Sequence, residues 1–80
     1  MKIQLLAFGI AKDILQAKSL TFEMKQSNTI RALKKALIKR YPDFEALSSI
    51  AFAVNERYVT DDHILNEGDE VVLIPPVSGG

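Results

Sequence analysis

Val71-Val72-Leu73-Ile74 runs directly into Pro75-Pro76-Val77-Ser78-Gly79-Gly80, and this stretch decides the fold. Four β-branched or leucine residues in a row leave no polar face, so they read as a strand at the centre of a sheet. The strand has one counterpart. Ile3, Leu5 and Ala7 alternate with Gln4 and Leu6 near the other end of the chain, again with a second face that is partly apolar. The two most apolar strands are expected side by side and parallel in the middle of one sheet. After Ile74 the pattern stops. A stiff Pro-Pro step leads into residues with small side chains or none, and Gly79 and Gly80 accept backbone angles closed to other residues. Residues 1–75 are therefore expected to form the globular domain and 76–80 a flexible tail.

Between the two strands the chain supplies a sheet and one main helix. Leu20, Phe22 and Met24 alternate with Thr21, Glu23 and Lys25, a half-buried second strand. Ser27, Asn28 and Thr29 are helix N-cap candidates. Ile30, Leu33, Leu37 and Tyr41 follow at three- and four-residue spacing, with Arg31, Lys34, Lys35, Lys39 and Arg40 largely opposite. This predicts an amphipathic helix from about Thr29 to Tyr41, ended by Pro42. A helical turn is also expected within the connection Ile10 to Gln16. Ala51 to Val54 reads as a short strand, Asn55-Glu56-Arg57 as a tight turn into Tyr58-Val59, and Asp61 to Leu65 as a single helical turn. Asn66-Glu67-Gly68-Asp69 is a further turn with Gly68 at positive φ. The order β-β-α-β-β-β is met most cheaply by one mixed sheet with the helix across one face. That is an α+β fold of the β-grasp, or ubiquitin-like, arrangement.

The bulk numbers narrow the function. Eighty residues make a single domain with one core. The formal net charge of zero argues against non-specific nucleic-acid binding, which needs excess Lys and Arg. With no cysteine, the chain has no disulfide, no thiolate metal ligand and no cysteine nucleophile. No stretch approaches the ~18 apolar residues of a membrane span, and Met1 to Phe8 does not read as a signal peptide. A cytoplasmic protein without membrane contact is expected.

Internal chemistry finds few residues. His63 lies beside Asp61 and Asp62, with Glu67 four positions on, but the spacing matches no zinc motif and a solvated turn is the better reading. No metal site is expected. Asp13, Glu56 and Asp69 suggest no acid-base couple, there is no glycine-rich phosphate loop, and Ser48, Ser49 and Ser78 have no base in predictable reach. The basic helix face reads as the wet side of a core helix, with docking to an acidic partner as the alternative. Glu67, Asp69 and Glu70 are either an ordinary polar turn or a patch that orients the tail on a basic partner. Phe8, Tyr58 and Ile74 lie near strand ends, where an exposed apolar patch beside the tail would be a partner site.

The ending Pro75-Pro76-Val77-Ser78-Gly79-Gly80, preceded by Glu67-Gly68-Asp69-Glu70-Val71, resembles the C-terminus of the molybdopterin synthase small subunit family. Phe8-Gly9-Ile10-Ala11-Lys12-Asp13 is similar to that family's Phe-Ala-x-x-Arg-Glu stretch. Ala53-Val54-Asn55 and Arg40-Tyr41-Pro42 also match. Two positions depart: Gln16 stands where the family usually has Gly, and Lys12 replaces the usual Arg.

The resemblance implies a sulfur carrier. It implies that the Gly80 carboxylate is adenylated by an E1-like adenylating enzyme that uses MgATP, the carrier itself holding no cofactor. A sulfurtransferase as sulfur source would then allow conversion to a thiocarboxylate. Pro76, Val77, Ser78 and Gly79 would insert into the large synthase subunit, where Gly80 donates sulfur to cyclic pyranopterin monophosphate. At ~3.1 Å per residue, Pro76 to Gly80 would reach roughly 15 Å into a partner. The family pattern assigns Phe8, Tyr58 and Ile74 to contact with the large subunit, and implies a heterotetramer with two large subunits at its centre. The alternatives are a sulfur carrier of another pathway, such as thiamine thiazole or tRNA thiolation, and a ubiquitin-like interaction module.

Overall fold

The computed structural model describes residues 1–25, 27–47 and 50–75. The expectations placed on Pro76, Val77, Ser78, Gly79 and Gly80, and on Ser48 and Ser49, lie outside the described residues. Along the chain run β1 (Lys2–Ala7), α1 (Gly9–Leu15), β2 (Ser19–Glu23), α2 (Ile30–Arg40), a 3-10 helix (Pro42–Ala46), β3 (Ala51–Val54), β4 (Arg57–Val59) and β5 (Glu70–Ile74). The strands form one sheet in the order β2-β1-β5-β3-β4. As the apolar pattern predicts, β1 and β5 are adjacent and parallel, with Leu5 opposite Val71 and Ala7 opposite Leu73. All other pairings are antiparallel. The fold is the ubiquitin-like β-grasp.

The helix α2 supplies the second layer of the core. Its Ile30, Leu33 and Leu37 are buried, together with Ile3, Leu5, Phe22, Val71 and Leu73 from the sheet. No polar or charged residue is buried among the described residues, so the core has no desolvated group to satisfy. Thr29 is the N-cap, its Oγ1 accepting from the Ala32 N–H at 3.2 Å. No helix among the described residues is long and apolar enough to cross a membrane.

The segment Asp61 to Leu65 corrects an expectation. It is not helical but one hydrogen-bonded turn at Asp61-Asp62, with the His63 N–H donating to the Thr60 carbonyl at 3.1 Å, followed by an isolated bridge between Thr29 and Ile64. The cause is the start of α2, whose first N–H groups have no partner within the helix. The His63 carbonyl accepts from the Ile30 N–H and the Asp61 carbonyl from the Arg31 N–H, each at 3.0 Å. Because the turn is not continued into a helix, those carbonyls stay available to another element; a longer helical run would spend them on itself.

Turns show where backbone sterics are relaxed and where they are not. Gly68 has φ 83°, as its place in the turn requires. Asn55 and Glu56 also have positive φ, 50° and 72°, in the two-residue hairpin loop between β3 and β4. Positive φ at both central positions is the type I′ signature, matched to the twist of the strands. Asn tolerates it and Glu does not. Gln16, after α1, has φ 57° and ψ 33° and closes the helix in the left-handed region.

Candidate functional site: the outward sheet face at the tail exit

The helix covers only one face of the sheet. On β5, Val71 and Leu73 face inward and are fully buried, while Val72 and Ile74 alternate outward and stay partly exposed. Register carries the outward row across the sheet. Leu6 lies opposite Val72, Val72 opposite Ala53, and Ala53 opposite Tyr58, so four strands place apolar side chains on one line. One step nearer the tail, Ile74 lies opposite Ala51. The two alanines keep the space between Tyr58 and the β5 side chains shallow. Tyr58 itself is 73% exposed.

The other end of the same face is polar. Lys2 lies opposite Glu23, and Gln4 lies between Thr21 and Glu70, with Gln4 Nε2 donating to Thr21 Oγ1 at 2.8 Å. The outward face thus changes from polar to apolar along the strands. Because β1 and β5 are parallel, both end at the apolar side. There β1 gives way to Phe8, which is extended and 49% exposed, and β5 gives way to Pro75. The next residue, Gly9, has φ 56°, and a Cβ built on it would lie 3.6 Å from Pro75 Cγ. A side chain at Gly9 would thus be strained by the backbone angle, although the space beside Pro75 would admit a methyl group.

The structure therefore puts Phe8 and Ile74 at the end of the central strands where the tail begins, and Tyr58 two strands from β5, on β4, in the row of Val72. Leu6, Val72 and Ala51, each partly exposed, extend the patch around the buried Ala53, and none of the four was singled out from the sequence. Their signal was present: an apolar second face on β1 and β5 reads as central burial, and here part of it remains open to solvent.

The remaining candidates have structural duties. Asp61 Oδ1 accepts from Lys34 Nζ at 2.7 Å, and Asp62 Oδ1 from Arg31 Nη1 at 2.9 Å. The hydrogen bond from Lys34 holds the Asp61 carboxyl below its usual range, aided by the charges of Lys34 and Arg31 and opposed by partial burial. Both carboxylates are thus turned to the helix. Among the described residues no three His, Cys, Asp or Glu side chains gather to hold a metal ion. Glu67 Oε1 accepts from the Lys2 N–H at 3.0 Å, which ties the turn to β1, and Asp69 Oδ2 accepts from the Asn66 N–H at 2.8 Å within the turn. On the helix, Arg31 and Lys34 are paired, whereas Lys35 and Lys39 have no ion-pair partner among the described residues.

Comparison with known proteins follows the same lines. The chain is 33% identical, over its whole length and 84% of the relative's, to the molybdopterin synthase sulfur carrier subunit of Arabidopsis thaliana. SAMP1 from Haloferax volcanii superposes with a TM-score of 0.82 at 20% identity, covering 100% of both chains. A chain from the complex of subunits 1 and 2 of the molybdopterin-converting factor of Helicobacter pylori gives a TM-score of 0.68 at 23% identity, again over 100% of both. At those identities the two structures speak for the fold. The ThiS family pattern matches residues 5–80, so that the outward patch, the strand that leads from it and the Gly-Gly ending all fall within the match, and the chain belongs to the ThiS family.

Proposed function

We propose that this chain is the sulfur carrier subunit of a molybdopterin synthase. The observation that carries the reading is the convergence of the outward apolar patch on the strand end that leads into the Gly-Gly tail. A patch of half-exposed apolar side chains is a docking surface when a partner covers it. A tail that starts beside it is delivered into that partner. The 33% identity to a named sulfur carrier subunit supports the same reading.

In this reading the globular body docks through Phe8, Tyr58 and Ile74 on the large synthase subunit, and Pro76, Val77, Ser78 and Gly79 enter its active site. Gly80, the second glycine of the Gly-Gly motif, is the reacting group. A carboxylate is a poor electrophile, so an E1-like enzyme first joins it to AMP from MgATP and releases pyrophosphate. A persulfide on a sulfurtransferase attacks the acyl-adenylate and expels AMP, and a second thiol then cleaves the resulting acyl disulfide, which leaves a disulfide on the donor and a thiocarboxylate on the carrier. That sulfur is a good nucleophile and is passed to cyclic pyranopterin monophosphate, with the carboxylate restored by water. The chain contributes no cysteine, which fits a carrier whose sulfur sits on its terminus. We place the assembly in the cytoplasm as a heterotetramer, with one carrier at each end of a central pair of large subunits.

The test is to incubate the chain with the molybdenum-pathway adenylating enzyme, MgATP and a sulfur donor, and to weigh the intact product. Replacement of one oxygen by sulfur at Gly80 is expected. A shift obtained only with the thiamine or tRNA-thiolation enzyme would move the chain to another carrier pathway. No shift with any of them, together with isopeptide-linked conjugates through Gly80, would make it a modifier instead.

A further inference from the structure

A second surface lies away from the outward patch and does not depend on the sulfur-carrier reading. The strand β2 is first in the sheet order, so among the described residues one of its sides has no neighbouring strand. Met1 and Met24 exchange both backbone bonds, Met24 N–H to Met1 at 2.7 Å and Met1 N to the Met24 carbonyl at 3.0 Å. In an antiparallel ladder such pairs alternate with pairs that make no mutual bond. Ile3 and Phe22 are then bonded, and the N–H and C=O groups of Thr21 and Glu23 point away from β1. They form an open edge ready to accept another strand.

Beside that edge runs a groove between β2 and α2. Leu20, Phe22 and Met24 reach it from the strand, and Ala32 and Ala36 from the helix, so its floor is apolar. Its rim is basic. Lys25, Lys35, Lys39 and Arg40 line it against a single acid, Glu23. The charge is local: α2 reads IRALKKALIKR, with five cations and no acid, although the whole chain balances ten against ten. Arg31 and Lys34 are paired with Asp62 and Asp61 at the helix start, and Lys35, Lys39 and Arg40 have no ion-pair partner among the described residues.

We propose that this groove binds an extended acidic segment of a partner protein, which adds to the free edge of β2 as a sixth strand. The open backbone groups of Thr21 and Glu23 supply register, the apolar floor takes alternate side chains, and Lys25, Lys35 and Lys39 select acidic flanks. The groove lies on the helix side of the sheet and the outward patch on the opposite face, so the groove remains accessible when the patch is covered.

The experiment titrates the full chain, labelled with nitrogen-15, with a nine-residue peptide of alternating valine and threonine that carries two aspartates at each end. Amide shifts are expected at Thr21, Glu23, Lys35 and Lys39, with Leu6, Val72 and Tyr58 unmoved. The double variant Lys35→Glu/Lys39→Glu, on exposed helix positions, is expected to weaken binding by about tenfold or more. Thr21→Pro removes an outward N–H at an edge position where proline is tolerated, and is expected to weaken binding about fivefold with an unchanged circular dichroism spectrum. The proposal is overturned if the peptide fails to bind at millimolar concentration, if shifts map to Tyr58 and Val72, or if neither variant changes the affinity. It is equally overturned if a peptide with lysines for aspartates binds as well, or if oligothymidine binds the groove in preference to the peptide.

Discussion

The two faces of the sheet use the same kinds of side chain for different ends. On β5, Val71 and Leu73 point inward and are fully buried under α2, while their neighbours Val72 and Ile74 point outward and are only partly covered. Chemically the two pairs are alike. Their difference is what stands opposite: a helix of the same chain on one side, solvent and a prospective partner on the other. Inward residues should therefore be read out in stability and outward ones in association.

The largest effect is expected on the inward side. Leu73→Ala opens a cavity in a core with no polar group to draw water, and should cost about 2–5 kcal/mol of unfolding free energy. Urea denaturation followed by circular dichroism measures it; a loss as small as that of a surface change would remove the distinction between the faces. Tyr58→Ala on the outward side should reverse the pattern. Stability should change by no more than about 0.5 kcal/mol, while affinity for the large synthase subunit falls by about tenfold or more, as read by calorimetry. Equal affinity for wild type and variant would break the assignment of the patch.

Smaller effects test the backbone that frames both faces. Glu56→Gly relieves a side chain held at φ 72° in the β3-β4 loop and should stabilise the domain by about 1 kcal/mol. A lower midpoint in thermal unfolding would contradict the strain. Smallest is the Asp61-Lys34 pair, whose members are 44% and 31% exposed, so Asp61→Asn should cost about 0.2–1 kcal/mol. Its pH dependence has a defined sign. The folded-state pKa of Asp61 lies below the ordinary carboxylate value, so its contribution is present above that value and fades as pH falls through the lowered one. Stability curves of wild type and Asp61→Asn should converge in that acid range; a gap that persists below it would point to another cause.

Much of the fold was legible because its signals are local. The alternation in Leu20, Phe22 and Met24, the three- and four-residue spacing of Ile30, Leu33 and Leu37, and the unbroken run from Val71 to Ile74 each name an element and a face. The two apolar strands also disclosed the parallel central pair. What escaped depended on partners distant in sequence. Asp61 to Leu65 has helix-like polarity, yet its carbonyls are claimed by the start of α2. The left-handed geometry at Gln16 was hidden by a residue that seldom adopts it. At the candidate site, Phe8, Tyr58 and Ile74 were visible as apolar residues near strand ends. Leu6, Val72, Ala51 and Ala53 were not, because only the register shows which of two apolar faces the helix leaves open.

The division between a docking body and a delivering tail is tested most directly by deleting Gly80. The shortened chain is combined with the large subunit and measured for both complex formation and molybdopterin production from cyclic pyranopterin monophosphate. Unchanged binding with complete loss of molybdopterin production is predicted. Continued production, or loss of binding along with it, would contradict the account.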